Sequence, residues 1–220
     1  MLTIISELIQ YIQDNFDQVL THTLEHAQLV GVAIVIAILI GVPLGIYLTT
    51  NEELAETVLQ IASIFLTIPS IALFGIMIPI LSLIGQGIGF LPAVIALVLY
   101  SQLPIIRNTY TAINNVDPDI RDAAKGIGMT TFQRLTKVEI PNGLPLIMAG
   151  VRTATVLNIG IGAIAAFIGS GGLGVLINSG ISRGNNTMIL VGAIVVSLLA
   201  IIADFVLKMI QKKFTPKSVQ

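Results

Sequence analysis

The sequence predicts an all-α integral membrane protein with about five transmembrane helices, its N-terminus outside and its C-terminus cytoplasmic. Three observations carry that expectation. Hydrophobic residues make up 55% of the 220-residue chain, charged residues only 10%, and the mean hydropathy is +0.93, whereas an ordinary soluble domain carries about 25% charged residues. Charge-free runs at 27–48, 57–85, 92–106 (continuing amphipathically to about 113), 153–182 and 184–203 each lie near or above the ~20 residues that a bilayer requires. Of the eleven Lys and Arg, five fall between Arg107 and Lys137 and four between Lys208 and Lys217. Basic residues favour the cytoplasmic side, so the central polar loop and the C-terminus are both expected there.

Residues 1–25 place Ile4, Ile5, Leu8, Ile9, Ile12, Phe16, Val19 and Leu20 at helical spacing opposite Glu7, Asp14 and Asp17. That pattern predicts an amphipathic interfacial helix, and with no Lys or Arg before Arg107 it lacks the basic start of a signal peptide. A transmembrane domain is expected over 26–210, including a cytoplasmic loop at 114–142, followed by a cytoplasmic tail over 211–220. The 57–85 run would yield pieces too short to cross separately if split at Pro69, so it predicts one span kinked or broken near Pro69 and Pro79. The loop 49–56 is the weak point of this topology, because its only charges are Glu52, Glu53 and Glu56. Arg152 is placed at the start of the fourth span, where snorkelling competes with binding an anionic group. Asp204 and Lys208, four apart, are expected to pair locally.

Two spans carry small residues at every fourth position: Ala33, Ala37, Gly41 and Gly45 in the first, and Gly150, Ala154, Asn158, Gly162, Ala166 and Ser170 in the fourth. Helices in lipid associate through close backbone approach, so these ridges predict packing faces, with pore lining as the competing reading. Asn158 is the polar exception, an amide that must face the bundle interior or a pathway. It and Tyr100 are the candidates for lining a substrate passage, with core packing the competing reading for Tyr100.

The longest polar interval, Arg121 to Lys137, reads as two short helices with a hinge. Asp117 N-caps a helix opening at Pro118, and Asp119 suits its positive end. Gly126 and Gly128 permit a sharp turn. Thr130 and Gln133 form a capping-box pattern for a second helix, with Phe132 and Leu135 as its apolar side and Pro141 ending it. The paired Ala123 and Ala124 expose little side chain, so another protein's surface can approach closely.

Here a resemblance becomes specific. Asp122-Ala123-Ala124, three residues, Gly128, nine residues, then Val138-Glu139-Ile140-Pro141 resembles the EAA loop of the permease subunits of bacterial ABC importers, whose pattern is Glu-Ala-Ala, three residues, Gly, nine residues, Ile-x-Leu-Pro. Asp122 stands for Glu, Val138 for Ile and Ile140 for Leu, while Ala123, Ala124, Gly128 and Pro141 match. The resemblance implies a coupling helix that docks on a separate ATPase subunit, with Asp122, Ala123, Ala124, Gly126, Gly128, Val138, Ile140 and Pro141 as the coupling residues. The chain itself has no phosphate-binding G-x-x-x-x-G-K-[ST] loop, so it is not expected to be an enzyme.

The resemblance narrows to the glycine betaine, carnitine and choline permeases over nearly the whole chain. It is carried by Thr67-Ile68-Pro69-Ser70, by Leu103 to Tyr110 leading to Val116-Asp117-Pro118, by Ala149 to Thr155, and by Ile168-Gly169-Ser170-Gly171-Gly172-Leu173-Gly174. It implies ATP-driven import of compatible solutes for osmoprotection across the bacterial cytoplasmic membrane. The implied partners are an ABC ATPase, an extracellular or periplasmic binding protein and a second permease chain, either identical or a related paralogue. By that resemblance the chain is expected to be one without the long leader of some members, similar to those that pair with a related permease. An ATP-independent secondary transporter or osmotic channel is the alternative.

Quaternary ammonium groups are held best by aromatic cages, and this chain has no Trp, so tight recognition is expected in the binding protein. No cofactor, metal or nucleic-acid partner is expected, and the only non-protein partner is membrane lipid. Gly169 to Gly174 matches G-x-G-x-x-G but follows a membrane helix rather than a strand, so a loop near the binding-protein docking face is the better reading. His22-Thr23-Leu24-Glu25-His26 matches H-x-x-E-H without a third ligand nearby, and is read as a polar edge to the first span. With no Cys, disulfides and thiolate sites are excluded.

Overall fold

The computed structural model describes residues 2–214, and every regular element among them is helical. The order is α1 (Leu2–Asp14), α2 (Phe16–Leu48), α3 (Glu52–Thr67), α4 (Ser70–Ser82), α5 (Phe90–Asn114), α6 (Pro118–Gly126), α7 (Thr131–Arg134), a π turn (Leu135–Glu139), α8 (Ile140–Ile164), a 3-10 turn (Ala165–Ile168), α9 (Gly174–Arg183) and α10 (Asn186–Phe214). Four helical stretches are long and apolar enough to cross a bilayer: Phe16–Leu48, Phe90–Asn114, Thr131–Ile168 and Asn186–Phe214. The bent pair α3 and α4 makes five if it is taken as one span.

The break between α3 and α4 falls at Ile68 and Pro69, and the two helices meet at 101°. Proline has no N–H and drives its predecessor out of the helical region, as the extended Ile68 backbone (ψ 126°) records. Backbone carbonyls freed in lipid need donors. The Tyr100 hydroxyl supplies one, donating to the Ile68 carbonyl at 2.6 Å. Pro79 lies inside α4 without breaking it.

Small residues bring α2, α5 and α8 together. Ala33, Ala37, Gly41 and Gly45 are all buried in α2. A Cβ at Gly45 would stand 2.9 Å from the Ile106 carbonyl oxygen, and one at Gly150 only 2.6 Å from that of Pro104. Gly45 and Gly150 therefore pack against α5, while Gly162 of the second ridge faces His26 and Val30 of α2 and Ser170 lies beyond the helix. Around them Leu29, Phe74, Leu97 and Ile105 are fully buried in one cluster.

Several expectations need correction. The 1–25 segment divides at Asn15: α1 lays Leu8, Tyr11 and Ile12 on a cluster of Leu173, Leu176, Met188 and Val191, and residues from Phe16 already belong to the first spanning helix. The 153–182 run is not one helix, because three positive-φ glycines, Gly169, Gly171 and Gly172, separate α8 from α9. Pro141 does not end the second loop helix. Ile140 N–H bonds back to the Leu135 carbonyl, and this widened π turn carries α7 directly into α8 where a proline would otherwise clash with the preceding turn. Arg152 accordingly sits at the midpoint of α8 rather than at a helix start.

Asp204 pairs across helices rather than with Lys208. Arg152 Nε donates to Asp204 Oδ1 at 2.8 Å and Nη2 to Oδ2 at 2.9 Å, a bidentate pair between α8 and α10. Gln211 extends it, accepting from Arg152 Nη1 at 3.3 Å and donating to the Pro145 carbonyl at 3.2 Å. The tail predicted from 211 is helical to Phe214. Residues 215–220, including Lys217, lie outside the described residues.

Candidate functional site

The site is the α6–α7 hairpin, and its local chemistry explains its shape. Asp117 Oδ1 accepts from Asp119 N at 2.9 Å, with Pro118 in the first turn, where its missing N–H leaves no helical bond unmade. Asp119 and Lys125 complement the two ends of the α6 dipole. Gly128, at φ +79°, makes the reversal; Gly126 only ends the helix, with ordinary φ and open space beside it. The capping box at Thr130 is complete: Gln133 N donates to Thr130 Oγ1 at 3.2 Å, and Thr130 N donates to Gln133 Oε1 at 2.9 Å.

The eight sequence-selected residues divide into two sets. Asp122, Ala123, Gly126 and Gly128 are exposed on the hairpin surface. Ala124 is buried against the chain itself, and Val138, Ile140 and Pro141 are half-buried at the hairpin root. Asp122 binds Lys125 at 2.9 Å, and that hydrogen bond, then the ammonium charge, holds its carboxyl below the ordinary range. It is therefore ionised at neutral pH.

Sequence reasoning missed three features. Ile127 and Phe132 are 75% and 74% exposed, so Phe132 is no inward apolar side for α7 but half of an apolar knob. Glu139 is buried and meets two guanidinium groups, Arg134 Nε at 3.0 Å and Arg121 Nε at 3.3 Å. Its signal was present in retrospect: Arg134 and Glu139 are five apart, the spacing that meets on a π turn. The Arg152–Asp204 pair joins residues 52 apart and leaves no local pattern.

The two candidates for a passage have interior positions. Asn158 is fully buried, donating to the Leu97 carbonyl at 3.1 Å and to Ser101 Oγ at 2.7 Å, and Tyr100 is buried beneath the α3–α4 break. Within this chain they tie α8 and the α3–α4 break to α5.

The His22–His26 segment has a fastening geometry. Glu25 Oε2 accepts from Gly172 N at 2.9 Å and meets His22 Nδ1 at 3.0 Å, while buried His26 Nε2 donates to the Ile159 carbonyl at 3.0 Å. Among the described residues no group of three potential metal ligands occurs. The glycine loop is thus held on α2 by one charged acceptor, a bond worth about 1.5–3 kcal/mol. Glu25→Ala is expected to speed amide exchange at Gly172 at least about tenfold, by that measure, as read by hydrogen-exchange mass spectrometry of peptides covering 169–174.

With the hairpin, the broken span and the small-residue bundle described, comparison with known proteins is decisive. Residues 33–216 match the family described as "Binding-protein-dependent transport system inner membrane component". The chain belongs to this family. As an inner-membrane component it is a multi-pass membrane protein. It is 52% identical over 214 residues to the osmoprotectant import permease protein OsmW of Salmonella typhimurium, covering 97% of this chain and 100% of that one. It is 41% identical over 215 residues to the glycine betaine/carnitine/choline transport system permease protein OpuCB of Bacillus subtilis, covering 98% and 97%. Among solved structures, a chain of the MetNI methionine ABC transporter in an inward-facing conformation matches with a TM-score of 0.80 and 25% identity, covering 90% of this inner-membrane component and 96% of that chain.

Proposed function

We propose that the chain is the transmembrane permease subunit of an ATP-driven importer of quaternary-ammonium compatible solutes, of the glycine betaine, carnitine and choline class. The α6–α7 hairpin faces the cytoplasm and docks on a separate ABC ATPase. The N-terminus lies outside and the C-terminus inside. A binding protein delivers substrate on the outer side, and a second permease chain completes the pathway.

One observation carries the coupling role. A hairpin capped at both helix starts projects two bare apolar side chains, Ile127 and Phe132, from a bundle whose polar loops are otherwise short. Exposed apolar groups suit a protein partner better than water. The root of the hairpin runs unbroken into the 38-residue helical stretch Thr131–Ile168, which bonds to α10 through Arg152, to α5 through Asn158 and to α2 through the Ile159 carbonyl. A push on the hairpin therefore acts on one rod attached to three spans, the mechanical requirement for alternating two bundle states. The substrate class is supported by the osmoprotectant, betaine, carnitine and choline permeases at 52% and 41% identity.

Uptake tests this reading. Cells that carry the chain with its partner subunits are expected to accumulate labelled betaine, carnitine or choline, and to lose that uptake on ATP depletion or on deletion of the chain. Uptake that survives ATP depletion sinks the ATP-driven reading, and failure with all three solutes sinks the substrate class.

A further inference from the structure

We infer that Glu139 is the positioning residue for coupling, the single carboxylate through which the docking hairpin is fixed to the spans it must move. This rests on the reading of α6–α7 as the ATPase-docking element.

The geometry is specific. Arg121 projects from α6 and reaches two places, the Ile113 carbonyl in the last turn of α5 and Glu139 Oε1 at the head of α8. Arg134 approaches the same Oε1 from α7. Side chains of α6 and α7 therefore converge on one acidic side chain of the π turn leading into α8, only 7% exposed, and Arg121 links that meeting point to α5. Two guanidinium groups share one carboxylate, so the cluster carries a net positive charge, and loss of the carboxylate leaves two like charges facing each other.

The surroundings make this tie matter. On its other side the cluster borders an open cleft of about 620 Å³ bounded by Pro43 and Tyr47 of α2 and by Thr131. No packed wall backs the arginines there. Among the described residues, Ala124 is the one buried side chain of α6, and Ile120 is 43% exposed. In addition, Arg121 joins α6 to α5 by a hydrogen bond to the Ile113 carbonyl and to the turn that opens α8 by an ion pair with Glu139 at 3.3 Å.

The two arginine ties do different work. Arg134 and Glu139 lie on one continuous helical stretch, so their bond braces the π turn from within. Arg121 and Glu139 lie on separate elements, so their ion pair joins α6 directly to the turn that opens α8. Glu139→Met keeps the side-chain length but removes the acceptor.

The test uses the complete transporter, reconstituted with its ATPase and binding protein. For Glu139→Met, substrate transported per ATP hydrolysed is expected to fall at least tenfold while the ATPase still co-purifies, because the exposed docking knob is untouched. Arg121→Met should give the same uncoupling, and the double variant should be no worse than either single. Arg134→Met should lose less than threefold. Transport stoichiometry within twofold of the unaltered protein in Glu139→Met, or single losses that multiply in the double variant, overturns the inference. Should Glu139→Met fail to accumulate in the membrane, Arg121→Met on the rim of the cluster decides by the same criterion. Failure of the ATPase to co-purify with the unaltered chain instead overturns the docking reading itself.

Discussion

Replacing Ile127 and Phe132 together by Asp is expected to abolish co-purification of the ATPase and to lower uptake at least about thirtyfold, with membrane abundance unchanged. Each side chain is about three-quarters exposed, so the fold loses almost no contact when either is replaced. Phe132 also lies in the first turn of α7, where an acidic side chain meets the positive end of the helix. The partner loses everything these residues offer: a central apolar anchor at an interface is worth about 2 kcal/mol or more, roughly thirtyfold in affinity. A charged side chain in the same place adds the cost of burying it unpaired. Alanine replacement should give a milder loss of the same kind. Wild-type uptake in the double Asp variant would mean that the knob touches nothing that matters.

The second large effect concerns the Arg152–Asp204 pair. Removing either partner alone leaves a partly buried charge on a spanning helix without its bidentate partner. Arg152→Gln and Asp204→Asn should each lower the thermal stability of the detergent-solubilised subunit and its membrane abundance. Replacing both residues by Met should recover most of that loss, since a partly buried ion pair exchanged for apolar side chains of similar size leaves no charge unpaired. A snorkelling Arg152, independent of Asp204, predicts mild single variants and simple additivity in the double, so a double-mutant cycle separates the two.

The parts of this molecule that were legible in its sequence are those governed by local physics. Charge-free length announces the spans, and Pro69 announces the break between α3 and α4. Asp117-Pro118 and Thr130-x-x-Gln133 announce two helix starts, each with its cap in place. The four-residue ridges of small side chains announce close helix approach, because only atoms near the backbone fit there.

What stayed hidden depends on partners distant in the chain or on a local rule being overridden. Proline ordinarily stops a helix, yet a π turn takes Pro141 into a continuous stretch, and nothing in the residues 135–139 signals that choice by composition. Ala123 and Ala124 look equivalent as a pair, but a turn of about 100° per residue puts one on the surface and the other against the chain. Glu139 gives no sign in the sequence of its contact with Arg121, eighteen residues earlier, which the hairpin brings to it. Arg152 and Asp204 meet only because α10 packs on α8.

Because the chain contains no cysteine, a single Ile127→Cys substitution gives a clean reporter for the central claim that the hairpin is held by a motor on the cytoplasmic side. The measurement is the rate of modification at that position by a membrane-impermeant thiol reagent, in right-side-out and inverted vesicles, with and without the ATPase. Rapid labelling in inverted vesicles alone, suppressed at least about tenfold, the level of a 1.4 kcal/mol protection, when the ATPase is bound, is the predicted result. Labelling from the outer face, or labelling indifferent to the ATPase, would contradict it.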